Sequence, residues 1–99
     1  MSKEEIKILL VDDEKQFVDT LAERLAMRGF SARVAYDGPQ ALKAVEEPTD
    51  VIVLDLRMPG MDGFEVLRSV KKSNPQVQVI ILTGHGGDAE EQTAYRMGA

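Results

Sequence analysis

Residues Val51 to Gly63 read VIVLDLRMPGMDG, and this stretch decides the fold. Four apolar residues run without interruption into Asp55, and two residues later the chain enters a loop rich in Met, Pro and Gly. A continuous apolar run of this length, bounded by turn residues, is the pattern of a strand buried on both faces of a parallel sheet. A carboxylate at the end of such a strand is costly to desolvate unless a partner or a task compensates it.

The same pattern recurs outward from this stretch. Ile6 to Val11 (IKILLV) is a short branched run and predicts a first buried strand. Residues 14–29 follow, with Phe17, Leu21 and Leu25 four apart and Val18 and Ala22 beside them. That spacing predicts an amphipathic helix, ended by Gly29 as a C-terminal cap. Phe30 to Tyr36 is half polar and reads as a strand nearer a sheet edge. Asp37-Gly38-Pro39 then starts a second helix, with proline near its first position, and Glu47-Pro48 closes it. Val51 to Leu56 is the third strand. Gly63 to Ser73 carries Phe64, Leu67 and Val70 three apart and predicts a third helix, stopped by Asn74-Pro75. Val77 to Thr83 is the fourth strand, residues 84–87 (GHGG) a turn, and residues 88–98 a last helix with a weak apolar face.

Four strands alternating with four helices imply an α/β fold, a parallel sheet with helices on both faces. Ligands of such sheets sit beyond the carboxyl ends of the strands. Asp12 and Asp13 follow the first strand, Asp55 ends the third and Thr83 ends the fourth, so all of these polar groups are expected at one edge.

Composition narrows the choice of chemistry. Ninety-nine residues with 43% hydrophobic and 5% aromatic content fit one small domain with an aliphatic core. The absence of cysteine excludes disulfides, thiolate metal sites and thiol nucleophiles. No apolar run approaches the roughly 20 residues of a membrane span, and the start MSKEEIK lacks a signal-peptide core. A formal charge of −5 argues against a nucleic-acid surface in this segment. A cytoplasmic domain with neither a membrane nor a direct nucleic-acid partner is the expectation.

Taken singly, Asp12, Asp13 and Glu14 could be carboxylates favoured by a helix N-terminus, and Thr83 a strand-end residue capping a turn. Together they point to a site. Carboxylates converging within about 5 Å repel by roughly 3 kcal/mol per pair at an effective dielectric near 20. Such a cluster requires protonation or a cation, and hard oxygen ligands suit Mg²⁺ with several retained waters. A carboxylate so placed can act as a nucleophile toward phosphorus, because phosphoryl transfer needs little beyond positioning and charge neutralisation. In that chemistry Asp55 attacks, Asp12 and Asp13 hold the metal, and the Thr83 hydroxyl donates to a phosphoryl oxygen, with Gly84 leaving room beside it.

VDDE after the first strand, LDLRMPGMDG in the third and LTGHGG after the fourth resemble the receiver domain of two-component response regulators. The resemblance implies a flavodoxin-like (CheY-like) three-layer sandwich with strand order 2-1-3-4 over residues 1–99. It implies that Asp55 is the phosphoacceptor and Thr83 the switch hydroxyl. Asp13 is the direct metal ligand by this resemblance, Asp12 acts largely through metal-bound water, and the main-chain carbonyl of Arg57 is a further ligand. Met58, Pro59 and Gly63 match the loop that shapes the pocket, and Gly84 and His85 flank it. The implied cofactor is Mg²⁺, with Mn²⁺ as the alternative. The implied partners are a sensor histidine kinase or phosphotransfer protein and a downstream output domain or protein. The function implied is a phosphorylation switch and not a turnover enzyme.

The family continues past the position of Ala99 into a fifth strand and helix, and that strand carries a lysine which neutralises the phosphoryl group. Lys71 and Lys72 cannot replace it by position. A receiver-like binding module that holds no phosphate is therefore one alternative. An Mg²⁺-dependent aspartyl phosphatase is another, though such enzymes look for a second acid where Arg57 stands. The fourth strand becomes an edge without charge or proline between Val77 and Leu82, so self-association through it is expected, together with poor phosphoryl acceptance without the lysine.

Overall fold

The computed structural model describes residues 5–56, 58, 60, 63–82, 92, 96, 98 and 99. Within them the chain runs β1 (Lys7–Val11), α1 (Lys15–Met27), β2 (Ser31–Ala35), α2 (Gly38–Ala44), β3 (Val51–Asp55), α3 (Gly63–Ser73) and β4 (Gln78–Leu82). The strands form one parallel sheet in the order β2-β1-β3-β4, as expected. Each expected strand is present, without Ile6 in β1, Phe30 and Tyr36 in β2, Leu56 in β3 and Val77 in β4. Of the helix expected over residues 88–98, only positions 92, 96 and 98 are among the described residues, and 92 and 96 are helical.

Local chemistry explains where the helices start and stop. Gly29, at φ 93°, takes the left-handed conformation after α1. Its N–H donates to the Ala26 carbonyl, and the Phe30 N–H donates to that of Leu25. These are the two bonds of a Schellman motif, and they satisfy carbonyls the helix leaves orphaned. At the start of α2 the Asp37 carboxylate accepts from the Gln40 N–H at 2.8 Å, and Pro39 occupies the first turn. Arg33 of β2 closes the other end of α2. Its guanidinium donates to the carbonyls of Ala44 (2.8 Å) and Pro48 (3.3 Å) and to the Thr49 hydroxyl (2.6 Å).

The alternation of side chains along each strand divides the core in two. Leu9, Val11, Ile52, Leu54 and Val79 share a cluster with Ala41 of α2 and with Val66, Leu67 and Val70 of α3. Ile8, Leu10, Val51 and Val53 belong to the opposite face, with Val18, Leu21, Ala22 and Leu25 of α1. Full burial of one such Leu or Val is worth about 1.5–3 kcal/mol relative to exposure. The layers are therefore helix, sheet, helix.

Among the described residues, α1 is the helix on the second face of the sheet. α1 lies against β2 and β1. On the same face Val53 pairs in register with Ile80 of β4, which is 54% exposed. Phe17, expected in the buried stripe of α1, is 47% exposed, while Val18 is fully buried. The stripe is present but rotated, with Val18 and not Phe17 at its buried centre.

Candidate functional site

The register of the sheet assembles the site. Val11 of β1 pairs with Leu54 of β3, so the next residues of the two chains, Asp12 and Asp55, stand side by side at the carboxyl edge of the sheet. Asp13 follows in the turn toward α1. One carboxylate oxygen from each of Asp12, Asp13 and Asp55 lies within 4.8 Å of the others. Asp12 is buried, Asp55 is half-buried and Asp13 is exposed. The cluster is thus open on the Asp13 side and closed beneath Asp12.

Hydrogen bonds fix the turn that carries the acids. The Asp12 N–H donates to the Ala35 carbonyl at 3.1 Å, tying the end of β1 to the end of β2. One Asp12 carboxylate oxygen accepts from the Glu14 N–H at 3.0 Å. Glu14 is the N-cap residue of α1, and its own side chain makes no capping bond. The acids therefore do not cap the first turn of α1 in the ordinary way, which would require a bond to the second or third helical N–H. Burial pushes the Asp12 carboxyl above its ordinary pKa, and the charges of Asp55 and Asp13 push it the same way, against the Glu14 N–H. The arrangement holds unfavourable negative charge in place. A site of anionic oxygens this close, with no nitrogen or sulfur donor among the described residues, fits a hard divalent cation and would keep several of its waters.

Other residues singled out in the sequence fall as follows. Met58 is buried in the cluster that includes Leu56 and Val66, so it supports the loop after β3 from within the core. Gly63 opens α3 directly against β3; a Cβ built on it would lie 2.5 Å from the Leu56 Cα and 2.6 Å from the Asp55 carbonyl oxygen. Thr83 follows Leu82, the register partner of Asp55. Thr83 itself, with Arg57, Pro59, Gly84 and His85, lies outside the described residues. Lys71 is engaged elsewhere, donating to the Val77 carbonyl at 2.7 Å.

Three residues beside the site have no signal in the strand-end pattern. Tyr36, the first residue after β2, donates from its hydroxyl to the Asp19 carboxylate at 2.7 Å. The Lys15 ammonium lies over the Tyr36 ring, 5.2 Å from its centroid. Lys15 and Asp19 stand one helical turn apart, a spacing visible in the sequence, but their convergence on Tyr36 requires the packing of α1 against β2.

Comparison with known proteins gives a consistent picture. Residues 8–99 match the family described as the response regulator receiver domain. The transcriptional regulatory protein CpxR of Escherichia coli K12 is 38% identical over 93 residues, which is 94% of this chain and 40% of that protein. The chain thus spans about two fifths of the length of such curated relatives. The receiver domain of the Francisella response regulator 1452 superposes with a TM-score of 0.86 at 30% identity, over 95% of this chain and 78% of that one. A Burkholderia pseudomallei response regulator, solved with a phosphorylated aspartic acid, a calcium ion and citrate, gives 0.90 at 29% identity, over 96% and 56% of the two chains.

Proposed function

The chain belongs to the family of response regulator receiver domains, and we propose that its Asp55 is the residue that accepts the phosphoryl group. The observation behind this reading is the convergence of Asp12, Asp13 and Asp55 within 4.8 Å at the carboxyl edge of the sheet. A carboxylate oxygen of Asp55 attacks phosphorus in line. The bond from phosphorus to the donor breaks, the donor leaves with the electron pair, and an acyl phosphate remains on Asp55. Asp12 and Asp13, with the main-chain carbonyl of Arg57, would hold Mg²⁺; neutralisation of the carboxylates and of the phosphoryl oxygens is the chemistry such an ion supplies. The B. pseudomallei relative, with its phosphorylated aspartic acid and calcium ion, supports both parts.

Phosphorylation adds charge and strong acceptor oxygens beside the end of β4. Thr83 answers it through its hydroxyl, with Gly84 leaving space and Pro59 and His85 flanking the pocket. The covalent step is self-modification, so the chain acts as a switch. A sensor histidine kinase or phosphotransfer protein is the donor, and an output domain or protein is the recipient of the signal. No helix among the described residues is long and apolar enough to cross a membrane; the proposed compartment is the cytoplasm.

Incubation with acetyl phosphate and Mg²⁺, followed by intact-mass measurement, tests the reading. The parent chain is expected to gain the mass of one phosphoryl group, and Asp55→Asn none. An unmodified parent chain would favour a binding module that holds no phosphate.

Self-association through β4 belongs to the same reading. β4 is the sheet edge among the described residues, with Ile80 54% and Leu82 38% exposed and no charged residue or proline along QVIIL. Unguarded edges of this kind template strand pairing. Light scattering of the 99-residue chain is expected to show a mass that rises with concentration; a constant monomer mass would refute it.

A further inference from the structure

We infer that the pocket between the ends of α2 and α3 binds a small aliphatic ammonium, a ligand of the diamine class. The pocket lies at the amino edge of the sheet, away from the acid cluster, and its occupancy does not depend on phosphoryl transfer.

α2 and α3 pack side by side and run in the same direction, since each returns the chain to the start of the next parallel strand. Their carboxyl-terminal ends therefore stand together ahead of β3 and β4. Between them is a pocket of about 300 Å³, lined by Leu42, Val45 and Glu46 from one helix end and by Ser69, Ser73 and Asn74 from the other. That volume is at the lower end of the range for ligand sites, and suits a small molecule. Spacings of three and four residues put each set on one side of its helix. Leu42 and Val45 pack against the core cluster and make one wall apolar.

The polar groups of the other wall are unused by the fold. Among the described residues, no hydrogen bond or ion pair engages the side chains of Glu46, Ser69, Ser73 or Asn74. Glu46 supplies negative charge, and none of the six lining residues is a cation. The end of α3 adds to this. The Asn74 N–H closes the last helical bond, to Val70 at 2.7 Å. Pro75 has no N–H to give the Lys71 carbonyl, and among the described residues no N–H reaches the carbonyls of Lys72 and Ser73. Unpaired carbonyls give a helix C-terminus partial negative charge, which favours a cation. The Lys71 ammonium is taken up by the carbonyls of Pro75 and Val77 and is not among the lining groups. A carboxylate, two hydroxyls and an amide suit N–H donors, and the Leu42–Val45 wall suits a short hydrocarbon stem. A hard metal ion would find there one carboxylate and an apolar wall, a poor ligand set.

The probe is 1,4-diaminobutane, titrated into the 99-residue chain at low ionic strength and followed by amide correlation spectra. Saturable shifts are expected at residues 42–46 and 69–74. Glu46→Gln, at an exposed position, should weaken this binding about tenfold or more, the scale of a hydrogen bond to a charged group. 1,4-Butanediol, of the same length but uncharged, should bind the parent as weakly. Ser69→Leu fills the pocket with apolar bulk and should abolish the shifts, with thermal unfolding confirming that the variant is folded. Phosphoryl uptake from acetyl phosphate by Glu46→Gln should match the parent. The absence of saturable shifts in the parent would overturn the inference. So would an unchanged midpoint in Glu46→Gln or Ser69→Leu, or an equal response to the diol.

Discussion

Gly63→Ala is expected to destabilise the chain by about 3 kcal/mol, the upper range for overpacking a well-filled site. Gly63 does not have positive φ, so backbone freedom is not the reason. The reason is proximity. A Cβ at this position would meet the Leu56 Cα at 2.5 Å and the Asp55 carbonyl oxygen at 2.6 Å. Both are main-chain atoms at the end of β3, and neither can turn aside as a flexible side chain would. The Gly63 N–H also donates to the Leu56 carbonyl at 3.1 Å, so α3 cannot back away without losing that bond. Relief has to come from moving the end of β3, which carries Asp55. Urea unfolding should therefore show a lowered midpoint with unchanged slope, and phosphoryl uptake from acetyl phosphate should fall in the fraction that remains folded. An unchanged midpoint would mean that the β3–α3 junction yields more easily than its bonding indicates.

Asp13→Asn is expected to weaken Mg²⁺ binding by at least about tenfold, the scale at which even outer-shell partners of metal ligands act. Asp12→Asn should separate the electrostatic cost of the site from its ligand role. Asp12 has a raised pKa in the folded chain, caused first by burial and then by the charges of Asp55 and Asp13. The sign follows from linkage. Between its unfolded and folded pKa values the folded state binds more protons, so stability falls as pH rises through that window. Above it, ionised Asp12 destabilises the fold by a constant amount. Asp12→Asn removes that cost and keeps a side-chain oxygen to accept from the Glu14 N–H. Without metal the variant should unfold at a higher temperature than the parent at pH 7, with the difference vanishing below about pH 4, where carboxylates protonate.

With Mg²⁺ the order should reverse. A ligand at a hundred times its Kd stabilises the native state by about 2.7 kcal/mol. The parent gains that increment and the Asn variants gain less. Thermal unfolding with and without Mg²⁺ at the two pH values tests both signs. A parent melting temperature indifferent to Mg²⁺ at pH 7 would count against the site as a metal centre.

Much of this was legible in the chain because it depends on neighbours in sequence. The helix ends at Gly29 and at Asp37-Gly38-Pro39 are local hydrogen-bonding problems with local solutions, and the bonds at Ala26, Leu25 and Gln40 are those the residue types predict. The apolar runs at Ile8–Val11 and Val51–Leu54 specify strands by length and branching alone. The placement of Asp12, Asp13 and Asp55 at one sheet edge follows from the parallel alternation of strands and helices, and requires no knowledge of strand order.

Tertiary structure decided what depends on which strands are neighbours and what each helix covers. The distance between Asp12 and Asp55 is set by the register of Val11 with Leu54, a pairing across 43 residues that no local pattern encodes. Phe17 and Val18 are both apolar and adjacent, and the way α1 packs on β2 and β1 buries one and leaves the other half exposed. The reason for a glycine at position 63 is the passage of α3 across the backbone of β3. Lys15, Asp19 and Tyr36 meet because α1 packs over β2, although Tyr36 is 17 residues from Asp19. Sequence periodicity says which side of an element is apolar; contact geometry between elements, fixed by the cooperative packing of the whole sheet, says what that side touches.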